Sequence, residues 1–245
     1  MDPDDGLTFD FFNTIIEPKD KNVSRRAMKA VYDVGVKHGL TVGFTEFLNK
    51  VSFHWEKVLK KRIDEGIETS YSSNLKKIFT ELGIQPSETN EVIRETTDTY
   101  FGVLNSSVQL VDGALEVLAN LSEKYRLGLI SNFTYPPFIR TQLEQNKLSD
   151  FFEVVTVSGD HGFTKPFPRI FNYTLDLMNM NPNNVIHIGD SLICDVIGAK
   201  KVGLKAIWFK RNNEQQIEDE YKPDLIIHQL SELLETNLDS LINSP

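Results

Sequence analysis

The stretch FDFFNTI, residues 9–15, decides how the chain is read. It closes a short apolar run that begins at Leu7, just after acidic turn residues and Gly6. A run of that length and character fits a buried strand. Asp10 interrupts it, and Thr14 follows four residues later. Beyond this point the periodicity changes. From about Ser24 to Leu104 apolar residues recur at steps of three and four, as on the buried stripe of a helix. Ser24 is placed to cap a first helix, with Ala27, Val31, Val34 and Val36 as its apolar positions and Gly39 as its stop. Thr45 is placed to cap a second, which carries Leu48, Val51, Trp55, Val58 and Leu59. Residues 71–82 and 87–104 read as two more helices, separated by Gly83 and Pro86.

After Gly113 strands and helices alternate. The pattern predicts helices over 114–122, 137–146, 168–178, 192–202 and 231–241, and strands over 127–130, 154–157, 185–188, 205–209 and 225–227. Such alternation implies a parallel sheet covered on both faces. The expected fold is therefore α/β, a Rossmann-like parallel sheet core with an all-helical domain inserted after the first strand. The core is placed at 1–16 and 107–245, and the helical cap at 17–106. Ligands of open parallel sheets bind beyond the carboxyl ends of strands. Asp10, the Ser131-Asn132 pair and Asp190 should accordingly meet at one edge.

Composition narrows the partners. Of 245 residues, 25% are charged, and the net charge is −9 with no long basic stretch. Nucleic acid and anionic membranes are not expected partners. No apolar run approaches the ~18 residues needed to span a bilayer, and the first ten residues are acidic where a signal peptide would be basic. Cys194 is the one cysteine, so no internal disulfide can form. A cytoplasmic setting is expected. A small anionic substrate remains possible through local positive groups, and the chain is expected as a monomer or homodimer.

Four segments carry a resemblance. They are FDFFNTI with Asp10, LGLISN with Ser131, GFTKPFPRIF with Lys165, and HIGDSLICDVIGA with Asp190 and Asp195. In this order, each at an expected strand end or helix start, they resemble the motifs of the haloacid dehalogenase-like hydrolase superfamily over nearly the whole chain. The resemblance implies Asp10 as nucleophile and Lys165 as catalytic charge clamp, with Thr14, Ser131 and Asn132 meeting the substrate anion. It also implies Mg²⁺ held by Asp10, by the main-chain carbonyl of Phe12 and by Asp190, with Asp195 in support.

The residue types suit these roles. A carboxylate can attack an electrophile and split one hard step into two. A lysine offers compact positive charge. Three converging carboxylates repel unless a cation joins them, and Mg²⁺ favours oxygen ligands. One position departs from the family's phosphatases, which carry a second aspartate where this chain has Phe12. That aspartate protonates the leaving oxygen and later activates water, help typically worth ~10²–10⁴ in rate. The L-2-haloacid dehalogenases expel halide without a proton and carry an aromatic residue there. They use no metal and show Ser-Ser-Asn near the fourth motif, where this chain has Gly189-Asp190-Ser191. A Mg²⁺-dependent phosphatase acting on a small phosphorylated metabolite is the leading expectation. A 2-haloacid dehalogenase-type hydrolase, and a catalytically impaired binding or regulatory protein, are the alternatives.

Other candidates have plainer readings. His187 lies in an apolar strand and fits a hydrogen-bonded core residue. His161 could border the site. His54, Trp55, Arg25 and Arg26 fit packing or a solvated face, and Cys194 a small buried residue. Lys200 and Lys201 suit the end of their helix.

Overall fold

The computed structural model describes residues 5–85, 89–211 and 221–244. The chain divides into two compact units, one formed by residues 1–17 with 109–245 and the other by residues 18–108. Strands β2 (Ile16–Pro18) and β3 (Val108–Leu110) mark the two passages of the chain and pair with each other.

The first unit is built on a six-stranded sheet. It contains β1 (Gly6–Phe9), β4 (Arg126–Ser131), β5 (Val154–Val157), β6 (Val185–Gly189), β7 (Lys205–Phe209) and β8 (Leu225–Ile227). Their order is β5-β4-β1-β6-β7-β8, and every pair is parallel. β1 therefore lies inside the sheet, with Gly6 opposite Arg126 on one side and Val185 on the other. All its residues and all of β6 are buried, as expected of strands covered on both faces. Helices α5 (Ala114–Ser122), α6 (Pro136–Gln145) and α8 (Pro168–Met178) intervene between strands, and Ile130, Phe171, Leu175, Val185 and Trp208 share one core cluster.

The second unit is helical, with α1 (Val23–Lys37), α2 (Phe44–Glu65), α3 (Tyr71–Glu81) and α4 (Thr89–Ser106). Its interior holds Val31, Phe47, Leu75, Ile78, Phe79 and Val92. Phe47 and Phe79 lie 6.0 Å apart between ring centres, and Trp55 stacks on Tyr71 at 5.8 Å.

Several boundaries differ from the sequence expectation. α1 starts at Val23 behind Asn22, two residues before the expected cap Ser24, because Asp20 accepts from the Asn22 amide at 2.7 Å and organises the turn there. Gly43, not Thr45, precedes α2. Pro86 and Ser87 lie outside the described residues. The expected helix over 231–241 is two short ones, Glu232–Glu235 and Leu238–Ile242. Thr236 is extended between them, and Asn237 caps the second by accepting from the Ser240 amide. The expected helix over 192–202 opens as a π-helical turn, Leu192–Ile197, before Gly198–Lys200 continues it. Among the described residues, no helix is long and apolar enough to cross a membrane.

Candidate active site

The carboxyl ends of β1, β4 and β6 bring together residues that lie far apart in sequence. Asp10 directly follows β1, and its amide continues the ladder by donating to the Ile188 carbonyl at 2.9 Å. Ser131 ends β4 and is buried. Asp190 follows β6, and Asp195 sits in the π-helical turn beyond it. Lys165 comes from the loop between the short helix α7 (Ser158–His161) and α8, and is 1% exposed.

Lys165 is the hub. Its Nζ donates to Asp10 Oδ1, Asp195 Oδ1 and the Ile130 carbonyl, each at 2.7 Å. Burial works against its charge, but the two carboxylates overcome this and raise its pKa above the ordinary lysine range. Asp195 is also buried, which would raise its pKa, yet Lys165 and His187 hold it well below the carboxylate range. Its Oδ2 accepts from the Ser191 amide at 2.8 Å. Gly189 makes that position possible, since a Cβ there would lie 2.3 Å from the Asp195 carboxyl carbon. No side chain tolerates such a contact.

Asp10 and Asp190 are the uncomfortable members. Burial pushes Asp10 up to about 6; Lys165 opposes the rise and Asp195 adds to it. Asp190 is pushed up to about 7, by burial first and then by repulsion from Asp10 and Asp195. Asp190 has no ion pair among the described residues. Oxygens of Asp10, Asp190 and Asp195 all fall within 4.8 Å of one another. Three carboxylates around one ammonium leave a net charge of −2 when all are ionised. That is the deficit a hard divalent cation neutralises, and the donor set is all oxygen. The residues present therefore fit Mg²⁺.

The remaining expected residues are distributed as follows. Thr14 is fully buried, and its hydroxyl donates to Asp10 Oδ2 at 3.2 Å. Asn132 engages Lys165 at both ends of its amide: Nδ2 donates to the Lys165 carbonyl and Oδ1 accepts from the Lys165 amide, each at 2.9 Å. The amides of Asn13, Ile15 and Ile16 donate to carbonyls within the loop itself. Phe12 is half-buried and stacks on Phe133 at 4.9 Å and 19°, and on Phe138 at 5.7 Å and 14°. Cys194 is partly buried, and burial pushes its thiol up. His161 packs on Phe163 and Tyr173. Within the helical unit His54 bonds Asn74, and Arg26 pairs with Asp20.

Sequence reasoning missed four participants. Asn13, with a positive φ of 60°, lies beside Asp190 and holds its pKa down against the burial. Its signal was the tolerance of Asn for left-handed backbone. Ser191 caps the turn that carries Asp195 by accepting from the Cys194 amide. Trp208 Nε1 donates to the Asp190 carbonyl at 2.9 Å. Thr8 meets His187 at 2.9 Å across β1 and β6. The last two depend on strand register, which the sequence does not carry.

Comparison with known proteins gives concordant results. The chain is 29% identical over 232 residues to the glyceraldehyde 3-phosphate phosphatase of Pyrococcus furiosus, covering 94% of this chain and 91% of that protein. Its fold superposes on a 2-haloacid dehalogenase from Pseudomonas syringae pv. Tomato with a TM-score of 0.74 at 22% identity, covering 96% of this chain and 97% of that one. A phosphatase from Thermococcus onnurineus gives 0.67 at 25% identity, covering 94% and 96%. The sequence model of the haloacid dehalogenase-like hydrolases matches residues 45–209. On the match of that family model, the chain belongs to the haloacid dehalogenase-like hydrolase family and is a hydrolase of that class.

Proposed function

We propose that the protein is a Mg²⁺-dependent phosphatase that works through a phosphoryl group carried on Asp10, with a small phosphorylated metabolite as substrate. One observation carries this reading: Asp190 joins Asp10 and Asp195 around a single lysine, leaving a site two negative charges in excess. The Asp10 and Asp190 carboxylates and the Phe12 main-chain carbonyl would hold the ion, which when bound supplies positive charge against the phosphoryl oxygens. Lys165 keeps Asp10 oriented and in its ionised, attacking form. A carboxylate oxygen of Asp10 attacks phosphorus, the bond from phosphorus to the leaving oxygen breaks, and its electron pair departs with that oxygen. Water then attacks phosphorus, the bond to Asp10 breaks, and inorganic phosphate leaves. Ser131, at the end of β4, is assigned to the phosphoryl group. The contacts of Thr14 and Asn132 support a positioning role for both, on Asp10 and on Lys165 respectively.

Phe12 supplies no proton to the leaving group. The reading therefore favours substrates whose leaving oxygen is stable as an anion, such as aryl or acyl phosphates. The compactness of the helical unit supports taking residues 17–106 as a cap that governs substrate choice. A cytoplasmic setting fits the single thiol.

A second reading has its own support. The Phe12–Phe133–Phe138 stack gives an aromatic wall suited to 2-haloacid dehalogenation. A panel with and without Mg²⁺ separates the two: alkyl, aryl and acyl phosphates, glyceraldehyde 3-phosphate as the substrate of a relative, and 2-chloropropionate. Mg²⁺-dependent phosphate release, abolished by Asp10→Asn, is expected. Metal-independent halide release would replace this function with the second. Ligand binding without turnover of any member would identify a regulatory homologue.

A further inference from the structure

A buried imidazole behind the site has no part in the chemistry above, yet it touches the residue that holds the lysine. His187 is fully buried in β6, directly opposite Thr8 of β1. Its Nδ1 lies 2.9 Å from Thr8 Oγ1, and its Nε2 lies 3.2 Å from Asp195 Oδ1, the same oxygen that receives Lys165 Nζ. The edge of Phe171 meets the ring at 5.2 Å and 89°. Every polar atom of the imidazole is thus matched, and its plane is fixed by apolar packing.

The partners determine where the proton sits. A carboxylate oxygen can only accept, so Nε2 must donate. A bare Nε2 lone pair facing Asp195 would repel it. Nδ1 is then the acceptor, and the Thr8 hydroxyl donates to it. The alternative imidazolium would place a second cation close to Lys165 in a dry interior. Burial first, and then that lysine, press the His187 pKa down and outweigh Asp195 and the Thr8 main chain, which raise it.

We infer that His187 is a positioning residue that, as a neutral imidazole with its proton on Nε2, locks the Asp195 carboxylate that holds Lys165 against Asp10. Without this donor, Asp195 Oδ1 would keep only Lys165, and the carboxylate could turn about its own bond and carry the lysine with it. Partners one layer behind a reacting group commonly change activity by about 10–100-fold when removed. The inference rests on the phosphatase reading for its kinetic consequence, but not for the placement of the proton.

The test pairs two substitutions with a spectroscopic measurement. His187→Gln offers a carbonyl oxygen to Thr8 and an N–H to Asp195, whereas His187→Leu keeps bulk and loses both. With circular dichroism showing both folded, His187→Leu is expected to lower kcat about 10–100-fold with KM within about threefold. His187→Gln should restore most of the loss. Long-range ¹H–¹⁵N correlation on the wild-type protein at pH 7.5 should show a neutral ring protonated at Nε2. Equal losses in the two variants, an unchanged kcat in His187→Leu, an Nδ1–H tautomer or an imidazolium would each overturn the inference. Absence of phosphate turnover in the wild type would instead remove the function proposed above, and the tautomer would then decide the placement alone.

Discussion

Phe12 is proposed to lend its main-chain carbonyl to a metal, and its side chain belongs to a stack of three rings. The two contributions can be separated by substitution. In Phe12→Asp the stacking is lost, and half-buried phenylalanine puts the stability loss at about 2–3 kcal/mol, below the cost of a fully buried one. The new carboxyl stands two residues from Asp10, the proposed nucleophile. Turnover of alkyl phosphates is expected to rise at least ~10-fold, a fraction of what a well-aligned general acid provides. Steady-state rates measured well below the melting temperature of both proteins check this. A rate at or below wild type, with the fold intact, contradicts the account of this position. The comparison also shows which residues were legible beforehand. That Asp10, Lys165 and Asp190 meet could be read, because each has a distinctive neighbourhood in the chain at an expected strand end or helix start. The work of Asn132 could not, because it is defined by a pair of hydrogen bonds to a main chain 33 positions away.

At the scale of elements, the alternation of strands and helices was visible in the hydrophobic pattern, but the ends of elements were set by local polar contacts. The turn after β6 is the instructive case. Apolar spacing over 192–202 suits an ordinary helix, yet the first turn is widened. The Ser191 carbonyl accepts from both Asp195 and Val196, and the Asp195 side chain folds back on the Ser191 amide. Widened turns of this kind are frequent at functional sites. Gly189 is the residue that leaves room for it. Gly189→Ala should displace Asp195, disrupt the buried pair with Lys165 and destabilise the protein by about 3–5 kcal/mol. Activity should fall more than ~100-fold. Chemical denaturation and kinetics on the same preparation test this, and a variant with wild-type stability would show that Asp195 has room to spare.

For the whole molecule, pH and metal should act on stability together. An acid whose pKa is raised by folding binds its proton more tightly in the native state than in the unfolded chain. As pH rises from about 4, where the unfolded carboxylates ionise, through about 6 for Asp10 and about 7 for Asp190, this preference is lost and metal-free stability falls. Asp195, with its pKa lowered, acts oppositely and withdraws its support only in strong acid. In the presence of a chelator the melting temperature should therefore be higher at pH 5 than at pH 8. Mg²⁺ should raise it more at pH 8, where no proton has to be displaced from its ligands. Scanning calorimetry at the two pH values, with chelator or with Mg²⁺, measures both effects; an equal Mg²⁺ shift at pH 5 and pH 8 would contradict the ligand assignment.

The place of β1 within the sheet has a consequence for biosynthesis. This strand leaves the ribosome before both of its neighbours, which begin only at Arg126 and Val185. At roughly 5–20 residues per second, it waits many seconds without neighbours. During that interval the nascent chain carries an unpaired ribbon whose Leu7 and Phe9 are meant for the core and which ends in Asp10, which makes this segment the natural client of a chaperone.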